Sequence, residues 1–319
     1  MSAIALEQQP TILCPFPAAM SPFADQVQRS TVRWAQEFAL VGSPRARAAL
    51  DHLQYGSFMG RAYPTATLPA LQLIADWNTW LFLLDDAFDD QALGRQPDQL
   101  ARLHADLLAI MGGAVPPEHA DARYMALYDL TARFRARASA AWLRRFARAV
   151  AATFAASVWE SRNRVDGRVP SEAEYLQMRP FTSAVFCFLR FIEVAEQLVL
   201  PRSVRDHPIV HALTIMTNNI ISWFNDLISY PKEIARGDVH NLVYIVHREH
   251  NLALDRAVEY VVHKHDAEVR AFQSCWAALP ISPHDQLARR YVTGLQAWIR
   301  ANVDWSIATA RYRPIRGPF

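Results

Sequence analysis

The sequence predicts an all-α protein folded as one helical domain, and three observations lead there. Glycine is scarce, 10 in 319 residues, while Ala, Leu and Arg, all good helix formers, abound. Apolar residues recur at helical spacing, and no stretch holds the strict alternation of a half-buried strand. Hydrophobic residues make up 51% of the chain against 20% charged, enough to fill a sizeable core.

Taken in order, residues 1–20 hold three prolines and little periodicity, and read as an irregular N-terminal strap. Ser21-Pro22 then offers a cap and a first-turn proline for a helix that runs through Val27, Val32, Trp34 and Phe38 to about residue 42. Further helices are expected over 44–54, 67–91, 97–111, 117–138 and 139–165. They continue over 171–179, 183–199, 206–236, 239–249, 252–278 and 283–312. The breaks coincide with Gly112-Gly113, Asp166-Gly167, Pro201, Gly237-Asp238, and Pro280 with Pro283. No repeat or low-complexity linker divides the chain, so residues 21–312 are expected to form one domain, with 313–319 as a tail. The short loops suit antiparallel neighbours.

Charge and cysteine usage narrow the function. A formal net charge of +2 is too small for a nucleic-acid footprint over the whole protein. Cys14, Cys187 and Cys275 are three, widely spaced, and outside any CxxC, which argues against a disulfide framework or zinc cluster. No basic segment followed by an apolar run suggests a signal peptide, and no run reaches the length of a membrane span. A cytoplasmic setting is expected. The arginines of RARASAAWLRRFAR (135–148) read as a solvated helix face, and His247, His250, His263 and His265 as surface residues.

Chemistry concentrates in two places. Residues 71–84, LQLIADWNTWLFLL, are almost wholly apolar, and DDAFDD follows at 85–90. On a helix Asp85 and Asp89 share a face, as do Asp86 and Asp90. Four carboxylates in six residues repel one another, and the helix C-terminus disfavours their charge. A divalent cation relieves both strains, and oxygen-only ligands point to Mg2+. Alone, the segment also fits a helix that ends in solvated acid.

The second place is NDLISYPKE at 225–233. Asn225, Ser229 and Glu233 fall at i, i+4 and i+8, and together drift about 80° around the helix, one oxygen-bearing stripe. Lys232 sits beside it as a point charge for phosphate. Pro231 removes an amide and is expected to kink the helix. A lone NxxxSxxxE is weak. Two hard-cation stripes, each at the polar end of an apolar helix, make coincidence a poor explanation.

With these residues the chain resembles the bacterial-type class I terpene synthases, over about residues 22–312. The stripes are similar to that family's aspartate-rich motif and Asn/Ser/Glu triad, which face each other across the mouth of a helical barrel with a central apolar cavity. The resemblance implies three Mg2+ held by Asp85, Asp89, Asn225, Ser229 and Glu233. It implies a diphosphate-sensing Arg179, in SEAEYLQMRPFTS, with Thr182 and Ser183 at the helix break. It also implies that Lys232 and the terminal pair Arg311-Tyr312 meet the diphosphate, and that Asp226 and Asp86 partner arginines. WESRNR (159–164) and GDVHNLV (237–243) look family-like as well. Phe58, Phe82, Phe186 and Trp305, each within a turn or two of these motifs, are the candidate aromatics for a carbocation pocket.

The expected activity is cyclisation of a linear isoprenyl diphosphate. Length and resemblance favour the fifteen-carbon farnesyl diphosphate, with the twenty-carbon geranylgeranyl substrate next and the ten-carbon one third. The alternatives are an isoprenyl chain-elongating transferase, which carries two aspartate-rich motifs, and a non-catalytic helical diphosphate-binding protein. A homodimer follows from the family alone.

Overall fold

The computed structural model describes residues 10–90, 93–279 and 286–312, with side chains throughout except at 87–90. Helices dominate: α1 (Ala24–Glu37), α2 (Pro44–Leu53), α3 (Tyr55–Ala62) and α4 (Leu68–Asp90) come first. A short 3-10 turn at Leu93–Arg95 leads to α5 (Pro97–Gly112), α6 (Ala122–Arg135), α7 (Ala140–Asp166) and α8 (Glu172–Thr182). Then follow α9 (Val185–Ala195), α10 (Arg202–Arg205), α11 (Pro208–Ala235), α12 (Leu242–Glu249), α13 (Leu254–Ala277) and α14 (Gln286–Ala308). No β-strand occurs among the described residues, and no helix there is long and apolar enough to cross a membrane.

Local chemistry starts these helices where it should. Ser43, Asp121, Ser139, Ser171 and Asn241 each accept a first-turn backbone N–H, capping α2, α6, α7, α8 and α12. Gly167 closes α7 in the left-handed region, at φ 63°. The middle of the apolar helix α4 is enclosed, with Leu71, Leu73, Ile74, Trp77 and Trp80 all buried. It packs on α1, α3 and α6, while α11 packs on α13 and α14. Trp77, Phe134, Trp142, Phe146 and Phe191 form an aromatic core below them, with neighbouring ring centroids 4.8–6.2 Å apart. Residues 10–20 are non-helical; Leu13 donates its N–H to Asp266 on α13, and Phe16 meets Phe272 edge-on.

Several expectations need correction. The first helix begins at Ala24, because Ser21 and Pro22 are spent on a turn: the Ser21 N–H bonds to the Gly60 carbonyl, and its hydroxyl accepts from Phe23. Helix α3 was not expected, since YGSFMGRA is short and holds two glycines. Those glycines let it approach α1. A Cβ on Gly56 would sit 2.4 Å from the Gln28 backbone, and one on Gly60 would sit 2.7 Å from the Ala24 Cβ. Helix α6 starts at Ala122 rather than 117, and α8 runs on through Pro180 to Thr182. His265 is fully buried rather than on the surface, with its Nδ1 3.0 Å from the Asp266 carboxylate.

Candidate active site

The stripe on α11 is held in place residue by residue. Asn225 Oδ1 accepts from Arg179 Nη2 at 2.8 Å, and its Nδ2 donates to the Tyr312 hydroxyl at 2.8 Å. Ser229 spends its proton on the Asn225 backbone carbonyl, 2.7 Å away, which leaves its oxygen as an acceptor. Glu233 accepts from Asn241 Nδ2 at 2.8 Å. Burial, with the nearby Asp226 charge, pushes the Glu233 carboxyl up to about 7, against the pull of Asn241 and Arg179. At neutral pH such a carboxylate either keeps a proton or requires a cation beside it. An amide oxygen, a free hydroxyl oxygen and a charge-hungry carboxylate on one face suit a hard divalent cation.

One residue over, Asp226 faces the other way. It is fully buried and pairs with Arg179 at 2.6 Å. Its second oxygen accepts from the Tyr175 hydroxyl and the Leu242 N–H. Burial alone opposes charge on Arg179; the Asp226 carboxylate more than offsets it, so the guanidinium stays protonated. Arg179 is thus aimed at the cavity by a carboxylate that does not itself reach it.

The end of α4 is built differently. Asp85 keeps 66% of its side chain exposed, and lies 3.6 Å from Arg311. Asp86 accepts from both terminal nitrogens of Arg311, each at 3.1 Å. Arg311 also donates to the Tyr55 hydroxyl at 3.0 Å and lies over the Phe82 ring, 4.6 Å from its centroid. Its side chain is 9% exposed, and the surrounding acidic partners hold its charge firmly despite burial. Because Arg311 binds α4 and Tyr312 binds Asn225, two consecutive residues clasp the two motif helices together.

Both motifs open into one cavity of about 660 Å3. Asp85, Arg179, Asn225, Ser229, Lys232, Glu233, Arg311 and Tyr312 line its polar end. Burial and the charges of Arg311 and Arg236 draw the Lys232 ammonium below its ordinary value. Phe58, Phe82, Phe188, Trp298 and Trp305 line the apolar end. Phe58 stacks flat on Trp305, with centroids 4.4 Å apart, and meets Trp298 edge-on. Thr182 and Ser183 lie at the wall where α8 stops, and Ala184, at φ 58°, turns the chain into α9. Asn218 secures this break, bonding the Pro180 carbonyl and the Ser183 hydroxyl.

Of the residues singled out in the sequence, one falls elsewhere. Phe186 does not line this cavity; it borders a second one with Phe181 and Arg190. Phe188 does line it, because residues two apart on a helix differ by about 200° in direction. Asp226 pairs with Arg179, as the resemblance implies, and does not line the cavity. The side chain of Asp89 lies outside the described residues. Sequence reasoning also passed over Trp298 and Asn302 on α14, and the mouth residues Glu160, Arg164 and Asp238. The signal for the mouth lay in the 159–164 and 237–243 strings, whose ends meet through an Arg164–Asp238 pair at 2.8 Å.

Two oxygen-bearing helix faces, a cationic rim and an aromatic pocket define a metal-binding, isoprenoid-type cyclase site. The family described as terpene synthase family 2, C-terminal metal binding, matches residues 76–271. The (+)-T-muurolol synthase ((2E,6E)-farnesyl diphosphate cyclizing) of Roseiflexus castenholzii is 42% identical over 305 residues, 95% of this chain and 93% of that one. The 10-epi-cubebol synthase of Sorangium cellulosum is 35% identical over 305 residues, 94% and 97% of the two chains. The crystal structure of germacradien-4-ol synthase from Streptomyces citricolor aligns with a TM-score of 0.81 at 25% identity, covering 96% of this chain and 99% of that one. This chain belongs to the metal-binding class I terpene synthases of bacterial type.

Proposed function

We propose that this terpene synthase ionises a linear isoprenyl diphosphate, farnesyl diphosphate first, and closes the carbocation to a cyclic terpene hydrocarbon or alcohol. The observation that carries the reading is the single cavity joining both oxygen-rich motifs to an aromatic pocket. The 42%-identical relative is itself farnesyl diphosphate cyclizing, which supports the fifteen-carbon substrate over the twenty- and ten-carbon ones.

Mg2+ suits the donors present. Asp85 and Asp89 would hold it on α4, and Asn225, Ser229 and Glu233 on α11, with three ions taken from the family resemblance. Bound there, Mg2+ supplies positive charge that offsets the charge gathering on the leaving diphosphate. The chain adds its own: Arg179, Lys232 and Arg311 bring cationic donors to the same rim. The Tyr312 hydroxyl is fixed by Asn225 at the same place. Below the rim, the rings of Phe58, Phe82 and Trp305 exclude water and offer π faces to a cation, each worth about 2 kcal/mol when desolvated. They carry no nucleophile that would trap it.

The test is incubation of purified protein with each of the three diphosphates plus Mg2+, followed by gas chromatography–mass spectrometry. Cyclic products from farnesyl diphosphate support the proposal. Longer diphosphates, formed when isopentenyl diphosphate is added, would replace it with chain elongation. A homodimer belongs to the proposal on family grounds alone, and a cytoplasmic setting on the sequence alone; sedimentation of the purified protein decides the first.

A further inference from the structure

Helix α9 borders two cavities. Phe188 faces the catalytic one, while Phe186, Arg190 and Glu193, at i, i+4 and i+7, line a second of about 750 Å3. Helix α7, packed on α9, brings Arg145 and Arg148 to this second cavity from the arginine-rich segment 135–148. The small side chains of Ala149 and Ala152 leave room beside them, and Arg202 and Arg205 of α10 complete the cationic lining.

The charges there do not balance. Five guanidinium groups meet two carboxylates, Glu193 and Asp206, an excess of three positive charges. Arg145 takes Glu193 at 2.6 Å, and Asp206 serves both Arg202 and Arg205, at 2.9 and 3.2 Å. Arg148 and Arg190 are left without an acidic partner among the described residues of the lining. A cleft lined by one sign of charge concentrates ligands of the other. Guanidinium forks match phosphate oxygens two at a time.

The rest of the lining is greasy. Leu200 and Val210 are buried at 5% and 3% exposure. Phe181, 39% exposed for so large an apolar ring, lies 6.0 Å from Phe186. Charge at one part and apolar side chains at another suit a ligand built the same way.

We propose that this second cavity binds a diphosphate-headed apolar chain of isoprenyl type, with its head on the arginines and its tail against Phe181, Phe186, Leu200 and Val210. The isoprenyl tail rests on the cyclase reading above; the anionic head rests on the arginines alone. Two phosphoryl groups offset more of the excess charge than one carboxylate does. Both carboxylates of the lining are engaged by arginine, so the head is held without a metal, in contrast to the catalytic rim. Thr182 and Ser183, which line the catalytic cavity, stand in the chain between Phe181 and Phe186, so one helix break walls both cavities. A chain lying on the outer side bears on the segment that shapes the inner one.

The experiment is equilibrium dialysis of the purified full chain against farnesyl thiolodiphosphate, which resists ionisation, in EDTA and in Mg2+. One molecule per chain is expected in EDTA and two in Mg2+. Arg148→Ala with Arg190→Ala weakens the metal-independent binding about a hundredfold, roughly tenfold for each charged donor lost. Turnover at low substrate stays within about twofold of the parent in that variant, since neither arginine lines the catalytic cavity. Ala152→Phe, which fills the room for the ligand and leaves the charges alone, weakens the same binding about tenfold. Inorganic diphosphate, a head without a tail, binds about tenfold more weakly than the farnesyl analogue.

No binding in EDTA overturns the proposal, as does binding that neither variant weakens. Equal affinity for inorganic diphosphate removes the tail and overturns it too. Phosphatidylglycerol vesicles that sediment with the parent but not the double variant, with no uptake of the soluble analogue, would replace it with a lipid surface. Should the double variant fail to fold, Arg148→Ala alone, at an exposed position, and Ala152→Phe decide. Each of these outcomes leaves the cyclase reading standing; that reading falls on its own test, absence of product from all three diphosphates.

Discussion

The two motif helices present their oxygens in opposite ways. On α11 each proposed ligand is already held: Asn225 by Arg179 and Tyr312, Ser229 by its own helix, Glu233 by Asn241. On α4 Asp85 lies 3.6 Å from Arg311 with 66% of its side chain exposed, and Asp86 accepts from both terminal nitrogens of Arg311. One half of the site is built into the core, and the other is mounted on its edge. The physical reason lies in burial. A carboxylate inside must be paired or hydrogen-bonded to be tolerated, whereas one in water need not be. Function and stability are therefore entangled on α11 and separable on α4.

Substitutions can break that contrast. The largest effect is expected at Asp85→Asn, where turnover falls on the order of 10³-fold, as for loss of a principal charge stabiliser. The melting temperature should hardly move, because little of that side chain is buried. A large drop in melting temperature would show that α4 is as integral as α11. Next comes Arg179→Ala. Turnover drops on the order of 10²-fold, and stability also falls, by about 3 kcal/mol, because Asp226 is left charged and buried. Urea unfolding measures the second part, and intact stability would place Arg179 outside the core. A smaller effect is expected for Phe58→Leu, which removes one π face from the stack on Trp305 and slows turnover about tenfold.

Fold and site were legible in the sequence to different depths. Long apolar helices such as α4 and α11 announce themselves through periodicity, and DDAFDD and NDLISYPKE through spacing. Helix α3 did not, because Gly56 and Gly60 look like breakers until α1 is seen pressed against them. The oxygen-bearing face of α11 could be read because 3.6-residue geometry alone puts Asn225, Ser229 and Glu233 together. The apolar wall could not. Trp298 and Phe188 have the same spacing as ordinary core residues, and only the packed bundle says which ring meets a cavity and which a neighbour. Asn302 carries no motif at all. It stands out only once it is seen to line the cavity.

The smallest expected effect separates the scaffold from the site. His104 is buried on α5 and stacked on Phe154, with centroids 4.1 Å apart. Burial drives its imidazole down to about 4, partly offset by a hydrogen bond to the Phe154 backbone. The folded ring is therefore neutral where an unfolded one takes a proton. Its contribution to stability is present above the ordinary histidine value near 6.5 and is lost as pH falls towards 4. Between pH 7 and 5 the loss is about 2 kcal/mol. In His104→Leu the acid limb of the stability curve should flatten by that amount, with turnover per folded molecule unchanged. Equal slopes in parent and variant would mean the ring is charged in the fold.

Arg311 and Tyr312 follow every other residue of the site along the chain. During synthesis both motif helices are complete, and can pack, before the ribosome adds the pair that ties Asp86 and Tyr55 on one side to Asn225 on the other. A chain without the pair keeps the packing of α4 and α11 on their neighbours and loses the clasp between them.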